Sequence, residues 1–246
     1  MTTLVKITIA LVLTLFLSSC GFDIRIDGDS WGSGKKGNGV VTTQTRSVTE
    51  DFTEITASEG LMVYVTQAKD FKIEVEADEN IIDLIGTDIN DGRLKIHAIK
   101  NIGRATKNVY VSLPDVTAIK ATSGAHLETK NTIKGNRLEI DGNSGALLTL
   151  ELDADDVEID ASSGANLSIS GTTEEADFDV SSGGNVNARE LESKICTAEA
   201  SSGGNLRIHV TESLVANASS GGNISYSGDA SFEGKKNFSG SIVHKD

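Results

Sequence analysis

A Ser-Gly motif repeated six times at near-constant spacing constrains this chain more than any other feature. The copies read ATSGAHLET, GNSGALLTL, ASSGANLSI, VSSGGNVNA, EASSGGNLRI and NASSGGNISY, with serines at Ser123, Ser144, Ser163, Ser182, Ser202 and Ser220. Successive serines lie 21, 19, 19, 20 and 18 residues apart, a mean of 19.4. Such a period suits a solenoid with one coil per repeat, because a single repeat cannot bury its apolar face and stacked neighbours can.

Periodicity within each copy selects strand over helix. Counted from the serine, positions −6, −4 and −2 are apolar or small in the five copies from Ser144 onward, as in Val157-Ile159-Ala161 and Ala176-Phe178-Val180. Positions +2, +4 and +6 behave alike, as in Ala165-Leu167-Ile169 and Gly204-Leu206-Ile208. Alternation at period 2 describes strands with one buried face. Ser-Gly between them supplies a corner, since Gly tolerates positive φ and Ser bonds nearby backbone. The expected fold is all-β, a parallel β-helix with coils of about 19 to 20 residues. Weaker patterns in LMVYVTQ, FKIEVEA, RLKIHA and KNVYVSL read as earlier coils, and Asp78 to Ile85 as a short helix or capping turn.

The N-terminus carries different signals. Lys6 precedes an apolar run from Ile7 to Leu17, which is too short for the ~20 residues of a membrane span and fits a secretory signal. Leu17-Ser18-Ser19-Cys20 resembles the bacterial lipobox, so residues 1–19 read as a lipoprotein signal peptide and Cys20 as the lipidated residue. Residues 20–45, glycine-rich from Gly28 to Gly39, read as a flexible linker, and 46–246 as the β-helix domain. Gly28-Asp29-Ser30-Trp31-Gly32 matches the G-x-S-x-G form but lacks the strand and helix that a nucleophile elbow requires.

Composition narrows function. With 22 Lys plus Arg against 36 Asp plus Glu the formal net charge is −14, which excludes nucleic acid as the expected partner. Two cysteines cannot build a disulfide framework. Cys196 falls on an inward position and reads as a small buried hydrophobe.

Phe52-x-x-Ile55, Gly60-Leu61-Met62-Val63-Tyr64-Val65, Gly92-Arg93-Leu94-Lys95-Ile96, Val109-Tyr110-Val111-Ser112-Leu113-Pro114 and the six Ser-Gly copies together resemble the head GIN domain family of putative auto-transporter adhesins. That family is frequent in Bacteroidetes lipoproteins. The resemblance spans about residues 46 to 240 and implies a single-stranded right-handed β-helix and no catalytic motif. His126 and Leu147 stand where later copies carry Asn.

Candidate binding residues lie on the outward columns. Position −5 holds Glu139, Glu158 and Asp177, and position −3 holds Asp141, Asp160, Asp179 and Glu199. Stacked ~4.8 Å apart, such carboxylates repel by ~1 kcal/mol per pair in water and ~3 at an effective dielectric of 20. A solvated acidic face is the first reading and weak cation binding the second. No metal or other cofactor is expected. Position +3 stacks Asn166, Asn185, Asn205 and Asn223, a structural amide row or a ligand-binding one. Position +7 would bring Glu151, Ser170, Arg189 and His209 together, but Glu151 and His209 would sit ~14 Å apart, beyond general acid–base reach.

The expected protein is therefore a non-enzymatic, lipid-anchored envelope protein, an adhesin or binding module at the outer membrane, periplasmic or surface-exposed. Its expected partners are the membrane through Cys20 and a glycan or surface protein. A periplasm-facing structural or regulatory lipoprotein is the alternative, and a carbohydrate-active enzyme the weakest reading.

Overall fold

The computed structural model describes residues 34–236 and 239–245. The signal segment, Cys20 and the G-x-S-x-G match lie outside the described residues. The N-terminal part comprises strands β1 (Val41–Arg46), β2 (Glu54–Ala57), β3 (Met62–Gln67), β4 (Lys72–Asp78), β5 (Ile85–Asn90), β6 (Arg93–Ala98) and β7 (Lys107–Leu113). The repeats follow as β8 (Ala118–Ala121), β9 (His126–Thr129), β10 (Ile133–Gly142), β11 (Leu147–Ala161), β12 (Asn166–Val180), β13 (Asn185–Ala200), β14 (Asn205–Ala218), β15 (Asn223–Ser227), β16 (Ser231–Lys236) and β17 (Ser241–His244).

From β8 onward the parity pattern becomes a β-solenoid. Each coil pairs in parallel with the next, placing Ile140, Ile159, Phe178, Ala198 and Ala216 in one core column. From Leu138 onward the inward positions are buried down the stack, until Tyr226 is half-buried and Phe232, in register with Leu214, is 44% exposed at the end. Alternating Leu, Ile, Val and Ala side chains fill the narrow interior, which explains how a chain so poor in aromatics still builds a core.

The corners are turns with positive φ at two successive residues. Ser163 has φ 50° and Gly164 φ 75°, and the Ala165 N–H donates to the Ser162 carbonyl at 3.0 Å. This is the signature of a type I′ turn. Corners are also tied to one another, as where the Gly145 N–H donates to the Ser163 carbonyl at 3.1 Å. A second bend occurs where alternation skips a beat and two neighbours both face out, at Asp155-Asp156, Glu174-Glu175 and Lys194-Ile195. That skip leaves Ile195 46% exposed.

The N-terminal part departs from a simple series of earlier coils. β2 pairs in parallel with both β6 and β8, and β3 with both β7 and β9. The β2–β3 coil thus lies between the coil made by β6 and β7 and the first repeat, out of chain order. β4 pairs antiparallel with β7, β1 with β4, and β5 with β6, so this end of the solenoid is closed by antiparallel strands. A solenoid end needs such a cap because its last coil has no neighbour to cover it. A 3-10 turn at Ile82–Leu84 occupies the stretch expected as a short helix or cap.

The segment read as linker is ordered at its C-terminal end. Val41–Arg46 is strand β1 rather than linker, and Lys35 bridges to Ile102. Asp78, only 2% exposed, explains this: its carboxylate accepts the Gly39 N–H and, at 2.7 Å, the Thr106 N–H. A buried carboxylate bound to backbone donors pins a glycine-rich stretch that composition alone describes as flexible. Among the described residues no helix is long and apolar enough to cross a membrane.

Candidate functional site

The stretches leading into the corners and those leaving them are halves of the same long strands in one continuous sheet, and the two halves carry different chemistry. On the first, backbone register places Glu139 beside Glu158 and Glu158 beside Asp177, while Asp141, Asp160, Asp179 and Glu199 follow one another on consecutive coils. The columns stack as their spacing requires. Lys120 pairs with Glu139 at 2.5 Å, and Arg137 reaches Asp156 at 3.2 Å and Glu158 at 2.8 Å, so cations relieve one end of the array. At its centre, burial and the neighbouring Asp179 raise the Asp160 pKa, and burial and Glu158 raise that of Asp177. A depression of about 290 Å³ lies among Glu158, Asp160, Asp177, Asp179 and Glu199. Among the described residues no group of three or more His, Cys, Asp or Glu side chains is placed to hold a metal ion.

The stretches leaving the corners are amide and hydroxyl in character. Asn166, Asn185, Asn205 and Asn223 stack in register. Each Nδ2 donates to the carbonyl of the corner glycine two residues earlier, at 3.1, 3.1, 3.0 and 2.9 Å. Asn223 also donates to the Asn205 Oδ1 at 3.3 Å. The structural role expected for this row is thus present, and bonding to corner carbonyls dominates over bonding along the ladder.

Beside the amides runs a further column: Glu128, Thr149, Ser168, Asn187, Arg207 and Ser225. Its signal was available at position +5 of each copy, but mixed side chains hide a column that identical residues would reveal. A depression of about 410 Å³ is bounded by members of both columns.

The +7 column does not form as expected. A bulge between Ser168 and Ser170 sets Ser170 opposite Glu190, and a further register shift sets His209 opposite Glu192. Arg189 is thereby removed from the stack. His209 Nδ1 instead lies 3.0 Å from the Ser227 hydroxyl.

Cys196 is 1% exposed and its thiol is pushed up to about 12, first by burial and then by Asp177. Such a thiol holds its proton throughout the neutral range. Two further corners lie outside the six Ser-Gly copies. Glu59-Gly60 has φ values of 59° and 65°, and its Gly60 N–H donates to the Ser123 carbonyl at 3.0 Å. Ser239, with φ 62°, stacks through its carbonyl on the Gly221 N–H at 3.0 Å. Glutamate in the serine position hid the first.

Solved structures share this architecture. A putative adhesin from Parabacteroides merdae ATCC 43184 is 23% identical, with a TM-score of 0.68 over 86% of this chain and 98% of that one. A putative adhesin from Bacteroides fragilis NCTC 9343 is 20% identical, with a TM-score of 0.71 over 86% of this chain and 100% of that one. A putative lipid binding protein from Parabacteroides distasonis ATCC 8503 is 20% identical, with a TM-score of 0.68 over 86% of this chain and 99% of that one. Likeness at these identities speaks to the fold. No curated protein matches the chain. The model of the family described as putative auto-transporter adhesin, head GIN domain, matches residues 51–230, and with its stacked Ser-Gly corners the chain belongs to that family.

Proposed function

We propose that the chain is a non-enzymatic binding module of the adhesin type, lipid-anchored to the cell envelope through Cys20, with its solenoid carried at the outer membrane. The observation that carries this reading is the layout of the faces: the same or similar polar side chains recur at the same position on consecutive coils. Repetition at ~4.8 Å steps suits many weak contacts to an extended or repetitive partner. Catalysis asks for one convergent set of unlike groups, and the bulge at Ser168 separates the groups that the +7 column would have gathered. The family supports an adhesin-like role, and the Leu17-Ser18-Ser19-Cys20 run supports the anchor.

The test is fractionation and surface accessibility in a bacterial host that processes lipoproteins. The unaltered chain is expected to pellet with membranes and to be cut by protease added to intact cells. Cys20→Ala is expected in the soluble fraction. Membrane association of Cys20→Ala refutes the anchor, and complete protease resistance on intact cells favours the periplasm-facing alternative.

A further inference from the structure

We propose that the face formed by the stretches leaving the corners binds an extended neutral polysaccharide, held across the coils by Thr149, Ser168, Asn187 and Arg207 beside the Asn166–Asn223 amide row. This rests on the reading of the chain as a binding module and names what it binds.

The first observation is hydrogen-bonding capacity left open. Thr149, Ser168, Asn187 and Arg207 are exposed, lie on four consecutive coils, and make no side-chain hydrogen bond or ion pair among the described residues. Beside them, each amide is fixed by its bond to a corner carbonyl. Fixing the amide orients its oxygen and second N–H without further loss of rotamer freedom, which lowers the cost of binding. Hydroxyls, amides and a guanidinium together offer donors and acceptors in alternation, the complement of sugar hydroxyls that are both at once.

Charge supplies the second observation. The chain carries a formal charge of −14, yet the depression of about 410 Å³ is bounded by no acidic residue. A second one of about 200 Å³ continues past Arg207 to Ser225 and Lys245, again without a carboxylate. The acidic columns run along the other half of these strands, on the stretches that lead into the corners. An anionic polymer approaching this molecule is repelled by its overall field, whereas a neutral one meets a strip whose charges are Arg207, Lys245 at one end and the Glu128–Lys130 pair at the other.

The apolar content of the face points the same way. Its exposed large hydrophobic residues are set apart at its two ends, Leu147 at 43% exposure beside Thr149 and Val243 at 46% beyond Ser225. Protein partners usually bind through clustered aromatic anchors. Tyr64 and Tyr110 stack 5.1 Å apart further along the same column, but Lys130 lies 4.3 Å over the Tyr64 ring and occupies it. What remains is a shallow, repeating polar strip, and repeated weak contacts gain through multivalency when the ligand repeats too.

Affinity gel electrophoresis of the detergent-solubilised full chain tests the assignment, with yeast mannan, dextran and a mixed-linkage β-glucan as neutral probes and polygalacturonate as the anionic one. At least one neutral probe is expected to retard the protein. Asn187→Ala/Arg207→Ala should bind it about tenfold more weakly, the equivalent of one or two lost hydrogen bonds. Asp160→Asn/Asp179→Asn, on the stretches leading into the corners, should bind it as the unaltered chain does. Melting curves check that both variants are folded. No retardation in any neutral gel overturns the proposal, as does retardation by polygalacturonate alone. Light scattering that shows a dimer lost in Asn187→Ala/Arg207→Ala assigns the face to a second copy and overturns it equally. Anchoring through Cys20 is read by fractionation, so a negative gel with membrane association intact removes the polysaccharide site alone.

Discussion

Asp160 lies directly beside Asp179 on the neighbouring coil, and both belong to a run of four carboxylates that begins at Asp141 and ends at Glu199. The Asp160 pKa is raised above the usual 3.8, first by burial and then by Asp179. A carboxyl whose pKa is higher folded than unfolded binds its proton more readily in the native state. Its contribution to stability is therefore present below the unfolded value and lost as pH rises through the folded one. Melting temperature should fall as pH rises from about 4 toward 7 on account of this group. Asp160→Asn/Asp179→Asn should melt higher than the unaltered chain at pH 7 and lose that advantage at pH 4. An advantage that persists unchanged at pH 4 would show that repulsion is not its source.

Salt probes the same array. The Debye length falls from ~10 Å at 0.1 M to ~3 Å at 1 M, so NaCl should raise the melting temperature gradually. Ca²⁺ at fixed ionic strength should add no saturating increment. A saturating increment that Asp160→Asn/Asp179→Asn abolishes would instead show a bound ion, through ligand linkage.

Core and surface neighbours in one strand should differ sharply. Phe178 is fully buried between Ile159 and Ala198, whereas Asp179 points out. Phe178→Ala should cost ~3 to 5 kcal/mol through the cavity it opens. Asp179→Ala should be within ~0.5 kcal/mol of neutral. Urea unfolding of the two variants measures the difference.

Ser163 holds φ 50° without being glycine. Asn tolerates that region and β-branched residues do not. Ser163→Val is expected to destabilise by about 1 to 2 kcal/mol and Ser163→Asn to be close to neutral. Gly171 is less forgiving: its φ is 119°, and an added Cβ would stand 1.8 Å from the Leu152 carbonyl oxygen. Gly171→Ala should lower the melting temperature more than Ser163→Val does.

With its pKa near 12 and 1% exposure, the Cys196 thiol should resist iodoacetamide at pH 8 in the folded protein. In denaturant it should react as an ordinary cysteine. Labelling followed by mass spectrometry reads this, and rapid labelling of the native chain would place Cys196 outside the core.

The sequence by itself determined the coils from Ala118 onward, because there each strand's partner is the next copy of the same pattern. Ser-Gly spacing marks the corners, and parity then decides which side chains are buried, from Leu138 through Ile224. It also determined both outward columns of carboxylates and the amide row, since parallel pairing in register carries equal positions onto each other. Tertiary structure decided everything that breaks this translation. The β2–β3 coil sits between the β6–β7 coil and the first repeat, and β1, β4 and β5 run antiparallel. Period-2 alternation is blind to both, because it states which face is buried and not which strand lies alongside. A one-residue bulge at Ser168 likewise exchanged Arg189 for Glu190 opposite Ser170. Asp78 turned the end of a glycine-rich stretch into a strapped strand through bonds to Gly39 and Thr106. Those partners lie 39 and 28 residues away, and the contact that orders the segment exists only once the cap has folded around the carboxylate.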